Sequence, residues 1–336
     1  MAATSRSIGD DSSASPSPAE AAAAPPDVSP SASELRRHLA ALLDRWPAGP
    51  PLPSLVAEAR PVVAALLAAL ERGEIRAAEP DSDAPGGWRV NAWIKQGILL
   101  GFRLPGLREW RAASSGPDAT QGGSILVARD RAAFGLLDLL DGAGAQAAQA
   151  AGAPWRVVPG GTTVRAGTHL QPGVTLMPPS YVNVGAWIGQ GTMVDSHVLV
   201  GSCAQIGRDV HLSAAVQIGG VLEPAGARPV VVEEGAFVGG GSGLYDGVVV
   251  GAGAVIGAGV VLTGQGRLVD LVRERELLGT PDEPLVVPPG SVVVPGTRPA
   301  ASPWARERGI SLVTAVIVKQ RDAGTAARVA LEAALR

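Results

Sequence analysis

Aliphatic residues return every six positions through the middle of the chain. Val158, Val164, Leu170, Leu176, Val182, Ile188, Val194, Val200, Ile206, Leu212 and Ile218 all keep this beat. A helical period of 3.6 drifts off such a register within two turns, and a half-buried strand would need apolar residues between the beats. A strict hexad is the mark of a solenoid, and specifically of a left-handed parallel β-helix. Three six-residue sides make one triangular coil, so the repeats supply about six coils. The beat residue points inward and the stacked beats form the core. Small residues after the beat fit the corners. The beat fails at "LEPAGARPV" and resumes at Val232, Val238, Leu244, Val250, Ile256, Leu262 and Leu268. The first break is expected to be an arm reaching a neighbouring subunit. The second break, "VRERELLGTPDEPL", carries charge and proline and should bulge out as a loop. "VVPPGSVVVPG" reads as one last turn.

The flanks follow other periods. "SASELRRHLAALLDRW" opens with Ser31 and Glu34 at capping-box spacing and continues as a helix. "SLVAEARPVVAALLAALERG" predicts a second helix ending at Gly73, kinked at Pro61. "GEIRAAEP" and "GGWRV" predict a hairpin, and "NAWIKQGILLGFRL" a helix burying Trp93, Ile94, Ile98 and Leu99. Residues 111–124 read as a loop and "RAAFGLLDLLDGAGAQAAQAAG" as a further helix. After the repeats come a strand, "ISLVTAVIVKQ", and a helix, "GTAARVALEAALR". The expected organisation is a disordered Ala/Ser/Pro-rich tail (1–30), a mostly helical domain (31–153), the β-helix (154–298) and a strand–helix extension (299–336). The fold class is therefore mainly β.

Composition narrows the function. Charged residues are 18% and the net charge is −3, which gives no reason to expect nucleic acid or an anionic membrane as partner. The single cysteine, Cys203, rules out an intramolecular disulfide and points to a reducing compartment. No apolar run reaches the roughly 18 residues of a membrane span, and the N-terminus lacks a secretory core, so a cytoplasmic protein is expected.

Candidate chemistry is sparse. The four histidines are His38, His169, His197 and His211. None forms a close pair, so a three-histidine zinc site is not expected. His197 and His211 are each either a turn residue or a general base. Cys203 has no histidine or cation close in sequence to lower its pKa, and reads as a packed small residue. Asp195 is the lone acid of "IGQGTMVDSHVLVGS" and stands at a corner, either as a turn cap or as a working carboxylate. Arg156, just before the repeats, reads as a solvated surface arginine.

"MPPSYVNVGAWIGQGTMVDSHVLVGSCAQIGRDVHLSAAVQIGGVLEPAGARPVVVEE" closely resembles the tetrahydrodipicolinate (2,3,4,5-tetrahydropyridine-2,6-dicarboxylate) N-succinyltransferases. The resemblance extends to "NAWIKQGILLGFRL", "SVVVPGTRP" and "TAVIVKQ" and covers roughly residues 88–336, most weakly at 104–153. It implies a homotrimeric acyltransferase of lysine and diaminopimelate biosynthesis. Such an enzyme moves a succinyl group from succinyl-CoA to the amine of a ring-opened dicarboxylate. It implies no permanently bound cofactor and no metal, with succinyl-CoA or another acyl-CoA as co-substrate. The family's substrate-binding arginine falls on Arg156 and its substrate-binding aspartate on Asp195. Two departures stand out. An arginine and a glutamate usual in the family are Gly241 and Gly243 here, which should enlarge the pocket, and a usual tryptophan is His197. Asp195 and His197 are the catalytic candidates. A divergent relative acting on a similar amino acid, or a non-catalytic trimeric scaffold, are the alternatives. In "VGAGAVIGAGVVLTG", Gly257, Ala258 and Gly259 leave backbone amides open to a pantetheine chain, and Lys319 could hold the CoA phosphates.

Overall fold

In the computed structural model the hexad beat becomes the core of a triangular prism, the left-handed parallel β-helix that the pattern predicts. The structure describes residues 30–112 and 126–325. The N-terminal tail, most of the 111–124 loop and most of the C-terminal helix lie outside the described residues. Beat residues such as Leu176, Val182, Ile188, Val194, Val200 and Ile206 are wholly buried. The outward neighbour of each beat is exposed or covered by another part of the chain. The short strands stack in parallel with one coil between partners, as Ile188 opposite Ile206 and Val194 opposite Leu212 show.

Three sheets form the sides. Sheet A runs from His169–Leu170 to Val286–Val287 and has six strands. Sheet B begins at Arg156–Val157 and passes through Met193–Val194 and Val255–Ile256 to Ser291–Pro299. It then extends past the prism through the antiparallel strand Ser311–Gln320 and the hairpin Arg267–Asp270 with Arg275–Leu278. Sheet C runs from Thr163–Val164 to Val261–Thr263.

The corners explain the small residues. The third residue after the beat takes a left-handed backbone, often as glycine but also as His197 (φ 62°), Cys203 (φ 65°) and Asp209 (φ 53°). The residue directly after the beat is pressed by the next coil. A Cβ at Gly201 would run into the backbone of Gly219 and Gly220.

The first coil corrects the register. Val157, not Val158, faces the core and pairs with Leu176. Val164 follows Val157 by seven positions instead of six, and the extra residue is taken up at Gly160 and Gly161, with φ of 144° and 95°.

The helical domain contains α1 (Ala32–Arg45), α2 (Pro53–Glu71) and α3 (Ala92–Arg103). Ser31 and Glu34 form the expected capping box. Ala78–Pro80 and Trp88–Val90 form the expected hairpin. α2 runs unbroken through Pro61, which is exposed and forfeits only one backbone bond. With 19 residues and a mean hydropathy of 1.5, α2 is long and apolar enough to cross a membrane, contrary to the expectation that no run reaches that length. Its Val63, Leu66, Leu67 and Leu70 are instead buried with α1 and α3 in one apolar cluster. In α3, Ile94 and Ile98 are buried as expected, Trp93 and Leu99 only half-buried, and Lys95 is 0% exposed.

The helix expected over 131–152 shrinks to α4 (Ala143–Ala150). Upstream, Leu137 N donates to Val164 O and Leu136 bridges Arg165, so this stretch edges the first strand of sheet C. The Asp138 carboxylate accepts from Leu140 N and Asp141 N, which favours a turn over a helix there. The last coil is followed by α5 (Pro303–Glu307), which the sequence reading did not anticipate.

The helical domain covers sheet A. The Arg76 guanidinium lies 3.9 Å from the Trp187 ring centre, and its Nε donates to Gln205. Burial lowers Arg76 to about 10. The segment "LEPAGARPV" does not stand out as a free arm. Leu222 packs against the helical cluster and Lys95 Nζ donates to Ala227 O of the same chain.

Candidate active site

One edge of the prism gathers most of the residues singled out from the sequence. Each coil turns from sheet B to sheet C at Met177–Pro179, Asp195–His197, Ser213–Ala215, Gly239–Gly241 and Gly257–Gly259. Backbone bonds tie these corners into a column: His197 N to Pro179 O (2.6 Å), Ala215 N to Ser196 O (2.9 Å), Gly241 N to Ala214 O (3.0 Å) and Gly259 N to Gly240 O (3.0 Å). Rungs lie about 4.8 Å apart, so Asp195 and Gly257 are about 14 Å apart along the edge. Between them the corner residues are Ser, Ala and Gly. Ala214, Ala215, Gly241, Ala258 and Gly259 are exposed, leaving an unobstructed strip of backbone.

Asp195 is half-buried, and its Oδ1 accepts from Ser196 N at 2.7 Å. His197 is exposed on its left-handed corner. It opens onto a shallow cavity of about 310 Å³ on sheet C, lined with Thr163, Tyr181, Leu199 and Gln217. The Gln217 amide donates to His197 O at 3.4 Å. Sequence reading missed Tyr181 and Gln217. Their signal was the 18-residue spacing of Thr163, Tyr181, Leu199 and Gln217, which stacks outward residues of successive coils on one face.

Arg156 starts sheet B, opposite Thr175, which lies opposite Met193. It is thus two rungs, about 10 Å, from the strand that delivers Asp195. The side chain is exposed and has no ion pair among the described residues. Arg156→Ala should raise the KM for a carboxylate-bearing acceptor by roughly tenfold or more, the worth of one charge-assisted bond, with a smaller change in kcat. Steady-state kinetics giving an unchanged KM would remove Arg156 from the site.

The structure separates Lys319 from this edge. It pairs with Val292 on sheet B, and its ammonium is held by Asp322 at 2.7 Å. Beside it Arg321 donates to Gly235 O and Gly253 O, on the edge between sheets A and B.

Gly243 does not enlarge a pocket. A Cβ there would meet the Tyr245 ring at 2.5 Å, and one at Gly219 would meet it at 2.8 Å. The phenol ring stands against both glycines and takes space that a longer side chain would need. Gly241 is open on its Cβ side but holds a left-handed φ of 68°.

The remaining candidates are structural. Cys203 is fully buried, and burial pushes its thiol up to about 12, so it is no nucleophile. His211 is buried edge-on to Phe237. Among the described residues no cluster of metal-ligating side chains occurs.

A prism of hexapeptide coils with an open small-residue edge defines a hexapeptide-repeat transferase. The model of the bacterial transferase hexapeptide (six repeats) matches residues 229–264, and that of the tetrahydrodipicolinate N-succinyltransferase N-terminal region matches 52–104. A 2,3,4,5-tetrahydropyridine-2,6-dicarboxylate N-succinyltransferase of Methylobacterium nodulans is 39% identical over 297 residues, covering 88% of this chain and 96% of the relative. Those of Methylobacterium sp. (strain 4-46) and Granulibacter bethesdensis are each 40% identical, over 82% and 83% of this chain and 90% of each relative. The chain belongs to the 2,3,4,5-tetrahydropyridine-2,6-dicarboxylate N-succinyltransferase family.

Proposed function

We propose that this protein transfers a succinyl group from succinyl-CoA to the amine of ring-opened tetrahydrodipicolinate, in lysine and diaminopimelate biosynthesis. The observation that carries the reading, beside family membership, is the single edge that holds Asp195, His197 and the open backbone of Gly257–Gly259. A pantetheine chain lying along that edge would bring its thioester down to the Asp195 corner. The thioester is already activated, so the protein has two tasks. It must hold the acceptor and keep its amine neutral. The amine lone pair attacks the thioester carbonyl, a C–N bond forms, and the C–S bond breaks. The amine proton passes to Asp195 or His197 and then to the departing CoA thiolate. Arg156 holds a substrate carboxylate.

Gly257, Ala258 and Gly259 are the CoA-facing positions in this reading. Lys319 reaches CoA phosphates only by leaving Asp322. The trimer belongs to the same reading. Leu271, Val272, Leu278, Leu312 and Val313 are exposed where sheet B extends past the prism, and a neighbouring chain would cover them. A cytoplasmic site of action accords with the buried free thiol of Cys203.

A second reading is a related amino-acid acceptor, favoured by the Tyr245 ring standing over Gly243. One experiment addresses both. Purified protein is offered acyl-CoAs of different chain length with tetrahydrodipicolinate, and with other amino-acid acceptors, while free CoA thiol is measured. Succinyl-CoA with tetrahydrodipicolinate should release thiol fastest. Release only with another acceptor would establish the second reading, and release with none would defeat both. Sedimentation equilibrium of the same preparation should weigh three chains.

A further inference from the structure

A cavity of about 430 Å³ lies away from the Asp195 edge, among the C-terminal end of α2, the helix α4 and the first coils of the prism. That volume is within the range of small-molecule sites. Most of its wall is apolar, from Ala68, Leu137, Ala148, Trp155, Leu170 and Pro172. Its polar lining is Glu71, Arg72, Asp138, Thr168 and His169, with His169 set against the backbone of Glu71.

Counting donors and acceptors shows what this lining lacks. The side-chain donors of Trp155 and Thr168 are already used. Trp155 Nε1 donates to Gln171 O (3.0 Å) and Thr168 Oγ1 to Asn183 O (3.1 Å). Arg72 is held by Glu74 through two bonds, at 2.6 and 2.9 Å. His169 Nδ1 lies 2.7 Å from Glu71 O. A carbonyl can only accept, so Nδ1 carries the hydrogen and Nε2 of the neutral ring is left as an acceptor. Burial lowers the His169 pKa, which keeps the ring in that form. Glu71 uses one oxygen to accept from Gly167 N (2.7 Å). Its second oxygen accepts nothing from the described residues, and burial raises its pKa. The C-terminal end of α2 adds the negative end of a helix dipole. The cavity therefore offers spare acceptors over an apolar floor, with the Trp155 and Thr168 donors engaged and Arg72 paired with Glu74.

We propose that this cavity is a second binding site, taking a small primary amine with an apolar body. The ammonium would sit against Glu71 and His169 Nε2, and the alkyl part against Leu137, Trp155 and Leu170. Occupation would join α2, α4 and the first coils and stabilise the docking of the helical domain on the prism. The proposal is independent of the acyl-transfer reading, since the cavity adjoins sheet A and the edge between A and B.

The test is titration calorimetry on the full chain with n-pentylamine, n-pentanoate and n-pentanol. Pentylamine should bind and the other two should not. Glu71→Gln should weaken the amine by roughly ten- to hundredfold, the worth of a charge-assisted bond. Ala147 is exposed on α4 and lines the cavity, so Ala147→Trp should leave the fold intact and abolish binding. That variant decides the matter if Glu71→Gln does not fold. No binding of pentylamine, equal binding of pentanoate or pentanol, or amine binding unchanged in Ala147→Trp would each overturn the proposal.

Discussion

Asp195→Asn is expected to lower turnover by roughly 10²–10⁴-fold, the usual contribution of a general base, and to leave the thermal midpoint unchanged. The substitution keeps the shape and removes the charge. The Asp195 Oδ1 atom accepts from Ser196 N, and an amide oxygen can accept the same bond. The core beneath the corner is made by Val194 and Leu212, which the change does not touch. A fall in kcat without a fall in stability therefore reports chemistry. The corner offers one other base, His197, two residues on and exposed. The paired variant His197→Ala assigns the proton. If Asp195→Asn turns over normally and His197→Ala does not, the base is the imidazole and Asp195 is a turn residue. Normal turnover in both variants would place the chemistry elsewhere.

Lys95 should make stability rise with pH where most proteins fall. Its side chain is 0% exposed and donates to Ala227 O. Burial lowers its pKa from 10.5 to about 8. Below pH 8 the lysine is charged folded and unfolded, and the folded state bears the full desolvation cost. Between pH 8 and 10.5 the unfolded chain holds a proton that the folded chain lacks, so stability rises with pH. Cys203, beside Lys95, acts with opposite sign. Its folded value is raised from 9.0 to about 12, so the unfolded thiol ionises first and stability falls from pH 9 upward. Wild type should therefore gain stability up to about pH 9 and then level off or decline. In Lys95→Met the rise disappears and only the cysteine-linked fall remains. Urea unfolding at pH 7 and pH 10 should show the wild type gaining about 2–3 kcal/mol relative to the variant. Parallel pH profiles would mean that Lys95 is hydrated in solution.

The hexad by itself determined the prism, its inward stack and its corner chemistry. Each coil repeats the same backbone bonds to the coil before it, so one residue in six fixes the local structure whatever lies far away in the chain. The same local logic made the capping box at Ser31 and the hairpin at 78–90 legible. The alignment of Asp195 with the glycines of 257–259 was also within reach, because three full coils separate corners of the same edge once the eight extra residues between Ile218 and Val232 are counted out.

Other features depended on partners distant in sequence. Lys95 is buried because Ala227, 132 residues away, offers it a carbonyl. The 131–142 stretch gives up helix because its backbone meets Val164 and Arg165. α2 carries enough apolar surface to cross a membrane, and only its packing against α1 and α3 gives that surface another use. Gly243 looked like an empty place, and the Tyr245 ring fills it. Periodic backbone bonding is written locally and can be read along the chain. Which side chain covers which space is decided only when separate segments meet, since burial depends on the surface that each one finds opposite it.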